Sequence, residues 1–269
     1  MKSRKNILKN LFKKDTIDMP VLLVAVIITL TTVLISIIFS NTISVWLESA
    51  FNYLSSKLGV AFILFSILVI LLCLYVAFSK YGNIRMGEDT DRPQYSTLSW
   101  FSMIFAAGMG VGLVFWSVAE PLQHFINPPM AEPYSSEAII ESLKYTFFHW
   151  GIHPWVLYLS VALPMGYSHF RKKKPMLVSS SFTTFLDNSP LKKPIYKAID
   201  SFTIVLVLVG AATSFALGSI QISNGLEFLF DFSFGKEAPI IIIFIFAVIF
   251  IISSSAGIDK GMKRLSNVN

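Results

Sequence analysis

One cysteine, Cys73, stands in a chain of 269 residues, which excludes an intramolecular disulfide and any cysteine-built metal cluster. It falls inside an apolar run and reads as a small packing residue. Charge is scarce as well. Asp, Glu, Lys and Arg make up 14% of the residues against 54% hydrophobic ones, and the mean hydropathy is +0.64. A soluble domain carries roughly 25% charged residues, so the sequence describes an all-α integral membrane protein and not a water-soluble one. No soluble domain, low-complexity tract or internal sequence repeat interrupts it. No small-residue cleavage site follows the first apolar run, which lies behind a long basic tail and reads as a retained helix.

Six apolar stretches have the roughly 20 residues that a helix needs to span a bilayer. They are Val21–Ser40, Gly59–Ser79, Leu98–Val118, Leu143–Ser168, Ser201–Leu229 and Pro239–Ala256. The fourth and fifth are long enough to tilt or kink. Of the 22 basic residues, 19 fall on alternate connections: Lys2 to Lys14, Lys80 to Arg92, Arg171 to Lys197 and Lys260 to Arg264. By the positive-inside rule both termini are cytoplasmic in a multi-pass plasma-membrane protein. The net charge of +6 therefore reports topology, and no nucleic-acid partner is expected. Residues 1–19 read as a cytoplasmic basic tail and 20–93 as two peripheral helices, nearly free of polar residues within their apolar stretches. From Trp100 onward Gly, Ser, Thr, Trp, Tyr and His enter the spans. Such residues at membrane depth face a bundle interior or a cavity, so the functional core starts with the third span. Between the third and fourth spans, Glu120-Pro121, Asn127-Pro128-Pro129 and Glu132-Pro133 mark a proline-punctuated external segment.

Within the third span, Gly108-Met109-Gly110-Val111-Gly112 places three alternate glycines, each costing a helix roughly 1 kcal/mol relative to alanine. Two readings compete. Gly108 and Gly112 form a GxxxG packing pair, or the helix unwinds there and turns backbone groups towards a ligand. In the fourth span, Trp150 and Tyr158 are eight residues apart, within about 80° on one face of an ideal helix, and Trp155 sits about 140° from Trp150. Pro154 can kink that helix, so the angles are provisional. Aromatic faces converging on a cavity suit a quaternary ammonium, which has no N–H to donate. An interfacial aromatic belt is the alternative, although Tyr158 is too deep for one. His149 and His153 have i, i+4 spacing, but zinc needs further ligands. His124 and His169 flank opposite ends of the spans, so no metal ligand is assigned. A membrane enzyme would need further histidine clusters, and no catalytic residue or cofactor is expected. In the fifth span a small polar stripe, Thr213, Ser214, Gly218, Ser219, Gln221 and Ser223, suits either tight packing or a substrate path.

Four segments together resemble the betaine/choline/carnitine transporter family. They are Ala106 to Trp116 with Ala119-Glu120-Pro121-Leu122; Phe148-His149-Trp150 with His153-Pro154-Trp155 and Tyr158; Gly210 to Ser214 with Leu217-Gly218 and Gln221-Ile222; and Gly257 with Lys260-Gly261 and Leu265-Ser266-Asn267. The Gly-x-Gly-x-Gly form looks like the glycine betaine branch, since choline-type relatives typically carry aspartate at the last glycine. The resemblance implies a twelve-helix symporter with two inverted five-helix repeats, coupled to sodium or to protons, that accumulates compatible solutes in osmoprotection. Residues 94–269 would supply the first four helices of the first repeat. Trp150, Trp155 and Tyr158 would form half of an aromatic box around the trimethylammonium, with Met109, Gly110, Gly112 and Ser214 along the substrate site. Backbone carbonyls of Ala106 and Met109 would contribute to a sodium site. Val207 and Ala211 stand where some relatives carry threonines of a second sodium site, and they offer no side-chain oxygen. The implied partners are the bilayer, the quaternary ammonium substrate, and either further copies in a homotrimer or a separate carboxy-terminal half. The sequence stops before a seventh span. The alternative expectation is therefore a truncated or split transporter with no activity by itself.

Overall fold

The computed structural model describes residues 17–183, 189–231, 235 and 237–257. The basic amino-terminal tail up to residue 16 and the cluster Lys260 to Arg264 lie outside them, as does the family motif beyond Gly257. All regular structure among the described residues is helical. Eight α-helices follow in order: α1 (Met19–Ile38), α2 (Ser40–Phe78), α3 (Thr97–Gly108), α4 (Val111–Ile126), α5 (Ser136–Trp150), α6 (Ile152–Gly166), α7 (Lys192–Phe230) and α8 (Ala238–Gly257).

Local chemistry sets the starts. Asp18 caps α1 by accepting the Val21 N–H at 3.3 Å, with Pro20 in the first turn, where its missing donor is not needed. Ser96 and Ser135 cap α3 and α5 in the same way, accepting from the Ser99 and Ala138 N–H groups. Helix α2 is the first departure from the apolar pattern. It begins at Ser40, with no loop before the expected span at Gly59, because the stretch from Asn41 to Leu58 holds neither proline nor glycine to stop it. Its 39 residues measure about 58 Å at 1.5 Å per residue, against a hydrocarbon core of about 30 Å. The end bearing Glu48, Asn52 and Lys57 therefore belongs outside the apolar slab.

Among the described residues, four helices are each long and apolar enough to cross a membrane: α1, α2, α7 and α8. The pair α3 and α4, bent by 50° at Met109 and Gly110, makes a fifth when counted as one span. The expected single span Leu143–Ser168 is instead two 15-residue helices, α5 and α6, separated at Gly151. Pro154 explains the position of the break. It cannot donate to the carbonyl four residues back, and it is accommodated in the first turn of a new helix. Pro164 lies inside α6, which runs on through Gly166 into one π-helical turn at Tyr167–Arg171.

The described residues divide into two compact units, 17–89 with 155–209, and 90–154 with 210–257. In the first, Ser201 Oγ donates to the Val21 carbonyl and Lys197 pairs with Asp18 at 3.3 Å. Ser179 donates through both N–H and Oγ to the Asp200 carboxylate. Arg171 donates to Asp89 Oδ1 and to the Gly87 carbonyl, each at 2.8 Å. Cys73 lines an apolar groove of about 500 Å³ with Leu72, Leu163 and Pro164. In the second unit, Phe215 of α7 packs on Phe246 and Phe250 of α8. Among the described residues the buried ones are mainly serines, such as Ser66, Ser142 and Ser219, whereas Leu, Ile and Phe line the exposed faces. That inversion is expected where lipid is the solvent and small residues make the helix contacts.

Candidate functional site

At the break between α3 and α4, Met109 (φ −88°, ψ 48°) and Gly110 (φ −72°, ψ 167°) leave helical geometry. The last carbonyls of α3, those of Ala106 to Gly108, and the first amides of α4, those of Val111 to Leu113, have no partner further along their own helices. The two helix dipoles meet there with opposite ends. Of the two readings of the glycine motif, the structure thus contains the unwinding. Gly110 needs no left-handed backbone, and a side chain there would meet nothing within 4 Å; Gly112 faces Trp150, whose ring edge lies 4.0 Å from where a Cβ would stand.

The connection between α4 and α5 folds into a hairpin. Glu141 accepts the Met130 and Ala131 N–H groups at 3.1 and 3.2 Å, and Phe125 packs edge-on against Tyr134. The hairpin brings Glu120 of α4 against His149 and Trp150 at the end of α5. Glu120 is 8% exposed, so its carboxylate needs partners. Oε2 accepts the Trp150 indole N–H at 2.5 Å. Oε1 contacts His149 Nδ1 and lies 3.4 Å from His124 Nε2. Since a carboxylate only accepts, this fixes the His149 proton on Nδ1. Tyr145 packs on both imidazoles, at ring distances of 5.5 and 6.3 Å. The indole of Trp150 consequently lies along α4, tied to Glu120 at one end and reaching Gly112 at the other.

Two expectations change here. Glu120-Pro121 does not belong to an external loop; α4 continues to Ile126 and buries Glu120. His124 is not remote from His149, because the hairpin sets their rings 5.7 Å apart. The sequence signal that points to the pair is the Glu120-x-x-x-His124 spacing, one helical turn. His153, four residues after His149 in the sequence, lies beyond the Gly151 break and packs on Phe148 at 4.7 Å.

Of the predicted site residues, Gly112 and Trp150 are brought together, and so are Trp155 and Tyr158 of α6, with ring centroids 6.0 Å apart. The 80° relation between Trp150 and Tyr158 does not apply, since the Gly151 break ends the helix on which it was counted. Met109 and Gly110 sit at the break in the third span, and Ala106 in the last turn of α3. Ser214 occupies an exposed face of α7. Gly218 is a packing residue: a Cβ there would stand 3.1 Å from Phe246 and 3.2 Å from Val111.

Comparison with known proteins gives this arrangement a family. The chain is 38% identical over 247 residues to the glycine betaine transporter OpuD of Bacillus subtilis, covering 91% of the chain and 48% of that protein. It is 39% identical over 221 residues to a probable glycine betaine transporter of Desulfitobacterium hafniense, covering 82% and 44%. It is also 34% identical over 258 residues to an ectoine/hydroxyectoine transporter of Virgibacillus pantothenticus, covering 95% and 51%. The chain thus spans about half the length of the curated relatives it matches. The family of transporters, not enzymes, described as betaine/carnitine/choline family transporter matches over residues 20–269, and this multi-pass membrane chain belongs to it.

Proposed function

We propose that this chain forms the first half of a secondary active transporter that couples uptake of glycine betaine, or a related quaternary ammonium solute, to sodium or protons. The observation that carries the reading is the broken third span, with Gly112 beside a Trp150 ring held in place by Glu120. Broken helices expose backbone dipoles at membrane depth, and an aromatic face suits a cation with no N–H groups. Trp150, Trp155 and Tyr158 are the ring faces assigned to the trimethylammonium, with Met109, Gly110, Gly112 and Ser214 along the path. The carbonyls of Ala106 and Met109 are assigned to the coupling ion. Counting the α3–α4 and α5–α6 pairs as one crossing each gives six spans, with both termini cytoplasmic. Residues 94–269 would be the first four helices of an inverted repeat in a twelve-helix fold.

The test is uptake of labelled glycine betaine in cells lacking other betaine carriers. The cells express this chain alone or joined to the remaining half of the Bacillus subtilis relative. Salt-stimulated accumulation that requires sodium or a proton gradient is expected of the joined protein, with Trp155→Ala weakening apparent affinity roughly tenfold or more. Uptake by the chain alone would mean that six spans assemble a working site. Uptake only after joining would mean that this chain is inactive by itself. A joined protein that reaches the membrane and moves no quaternary ammonium would overturn the proposal.

A further inference from the structure

We infer that Glu120, His124 and His149 form a binding site for a divalent transition-metal ion of the zinc class. One ligand atom from each residue lies within 4.8 Å of the others. Glu120 and His124 are one turn apart on α4, and His149 reaches in from α5, so two helices share the ion. One pair already has the spacing: with bonds of about 2.0–2.2 Å, the ligand atoms of a tetrahedral zinc site stand about 3.3–3.5 Å apart, and His124 Nε2 stands 3.4 Å from Glu120 Oε1, while His149 Nδ1, in direct contact with Oε1, must draw back by about 1 Å to admit the ion.

The surroundings give an independent argument. Glu120 divides its oxygens. Oε1 faces both imidazoles, while Oε2 is held by the Trp150 N–H. A carboxylate that binds a metal through one oxygen and is anchored through the other by an N–H donor is a common arrangement around bound ions. Tyr145 packs on both histidine rings and sets their planes. Glu120 is buried, whereas the His149 side chain is 48% exposed, so the third ligand has room to turn towards an entering ion. Two nitrogens and one oxygen favour zinc, cobalt, nickel or copper over magnesium or calcium, which prefer oxygen throughout. Loading requires the His149 proton to move from Nδ1 to Nε2, so that Nδ1 presents its lone pair to the ion. The site is independent of what the transporter carries, and its test reads metal and not uptake.

The experiment titrates the intact chain, purified in detergent with a histidine-free tag, with Co²⁺ followed by visible absorption. The expected result is one Co²⁺ per chain with the intense bands of four- or five-coordination, displaced by an equimolar amount of Zn²⁺. His124→Asn and His149→Asn should each weaken binding at least tenfold, and His153→Asn should leave it unchanged. A spectrum no stronger than that of aqueous Co²⁺, or affinity indifferent to His124→Asn and His149→Asn, would overturn the inference. If either variant fails to fold, carbethoxylation of the wild-type imidazoles decides. Zn²⁺ protecting His124 and His149 but not His153 supports the site; equal modification of all three, with and without Zn²⁺, refutes it.

Discussion

Replacing Trp150 with Phe keeps an aromatic ring beside Gly112 and removes the indole N–H that donates to Glu120 at 2.5 Å. A hydrogen bond to a charged acceptor contributes about 1.5–3 kcal/mol in soluble proteins. Between helices in a bilayer, side-chain hydrogen bonds average about 0.6 and reach about 1.7 kcal/mol. Glu120 is buried, and its Oε2 is served by this donor, which places the bond towards the upper end of the membrane range. The coupling between Trp150→Phe and Glu120→Ala is therefore expected at about 1–1.7 kcal/mol, a factor of roughly 5–18 in the unfolding equilibrium. Equilibrium unfolding of the wild type, both single variants and the double variant in mixed micelles of mild detergent and SDS, followed by far-UV circular dichroism, measures it as a cycle. Additivity within about 0.3 kcal/mol would show that Glu120 does not hold the Trp150 indole, and the positioning argument would fall.

Gly151→Ala should destabilise the α5–α6 pair by about 1–3 kcal/mol, since a Cβ there collides with the Phe147 carbonyl. Gly210→Ala, which meets nothing within 4 Å, should be neutral or stabilising by up to about 1 kcal/mol; the same micelle titration compares them, and equal effects would contradict the local geometry. The hydrogen bond and charge of Arg171 hold the Asp89 carboxyl below its ordinary value. Its contribution is present above the unfolded-state value of about 3.9 and is lost as pH falls through the lower folded-state value. Hydrogen exchange around Gly87 to Asp89, corrected for intrinsic rates, should stay constant from neutral pH to about pH 4 and then rise, with Asp89→Asn removing the step. Gly112→Asp in the joined transporter should shift preference from betaine towards choline, because the carboxylate would stand beside the Trp150 ring and favour a substrate without its own negative group. Competition uptake reads this, and unchanged betaine selectivity would remove Gly112 from the site.

The helices themselves were legible because their apolar runs are long and uncharged: α1 and α8 begin within two residues of the expected Val21 and Pro239. What depends on one residue's stereochemistry was harder. Pro154 signalled a kink, but the chain breaks three residues earlier, so that the proline enters the first turn of α6. The stretch from Asn41 to Leu58 is polar enough to resemble a loop, yet without a breaker it stays helical. The Glu120–His149–Trp150 contacts were not legible. They pair residues about 30 apart, and their register is set by the loop that Glu141 and Tyr134 hold in place, which spacing along a single helix cannot reveal.

The small residues of the core show how packing and ligand readings separate once neighbours are known. In a bilayer a leucine facing lipid is as well solvated as one facing another helix, so close approach at small residues decides which helix faces meet. Gly218 is such a residue: α7 reaches Phe246 and Val111 only because no Cβ intervenes. Gly110 differs. A side chain there would touch nothing within 4 Å, and its backbone angles are open to other residues. Neither close packing within this chain nor a left-handed turn therefore calls for glycine at that position. What glycine leaves there is bare backbone at a helix break, one turn or less from Ala106 and Met109 on one side and Gly112 on the other. That is the arrangement a small solute and its coupling ion require if they are bound by backbone dipoles.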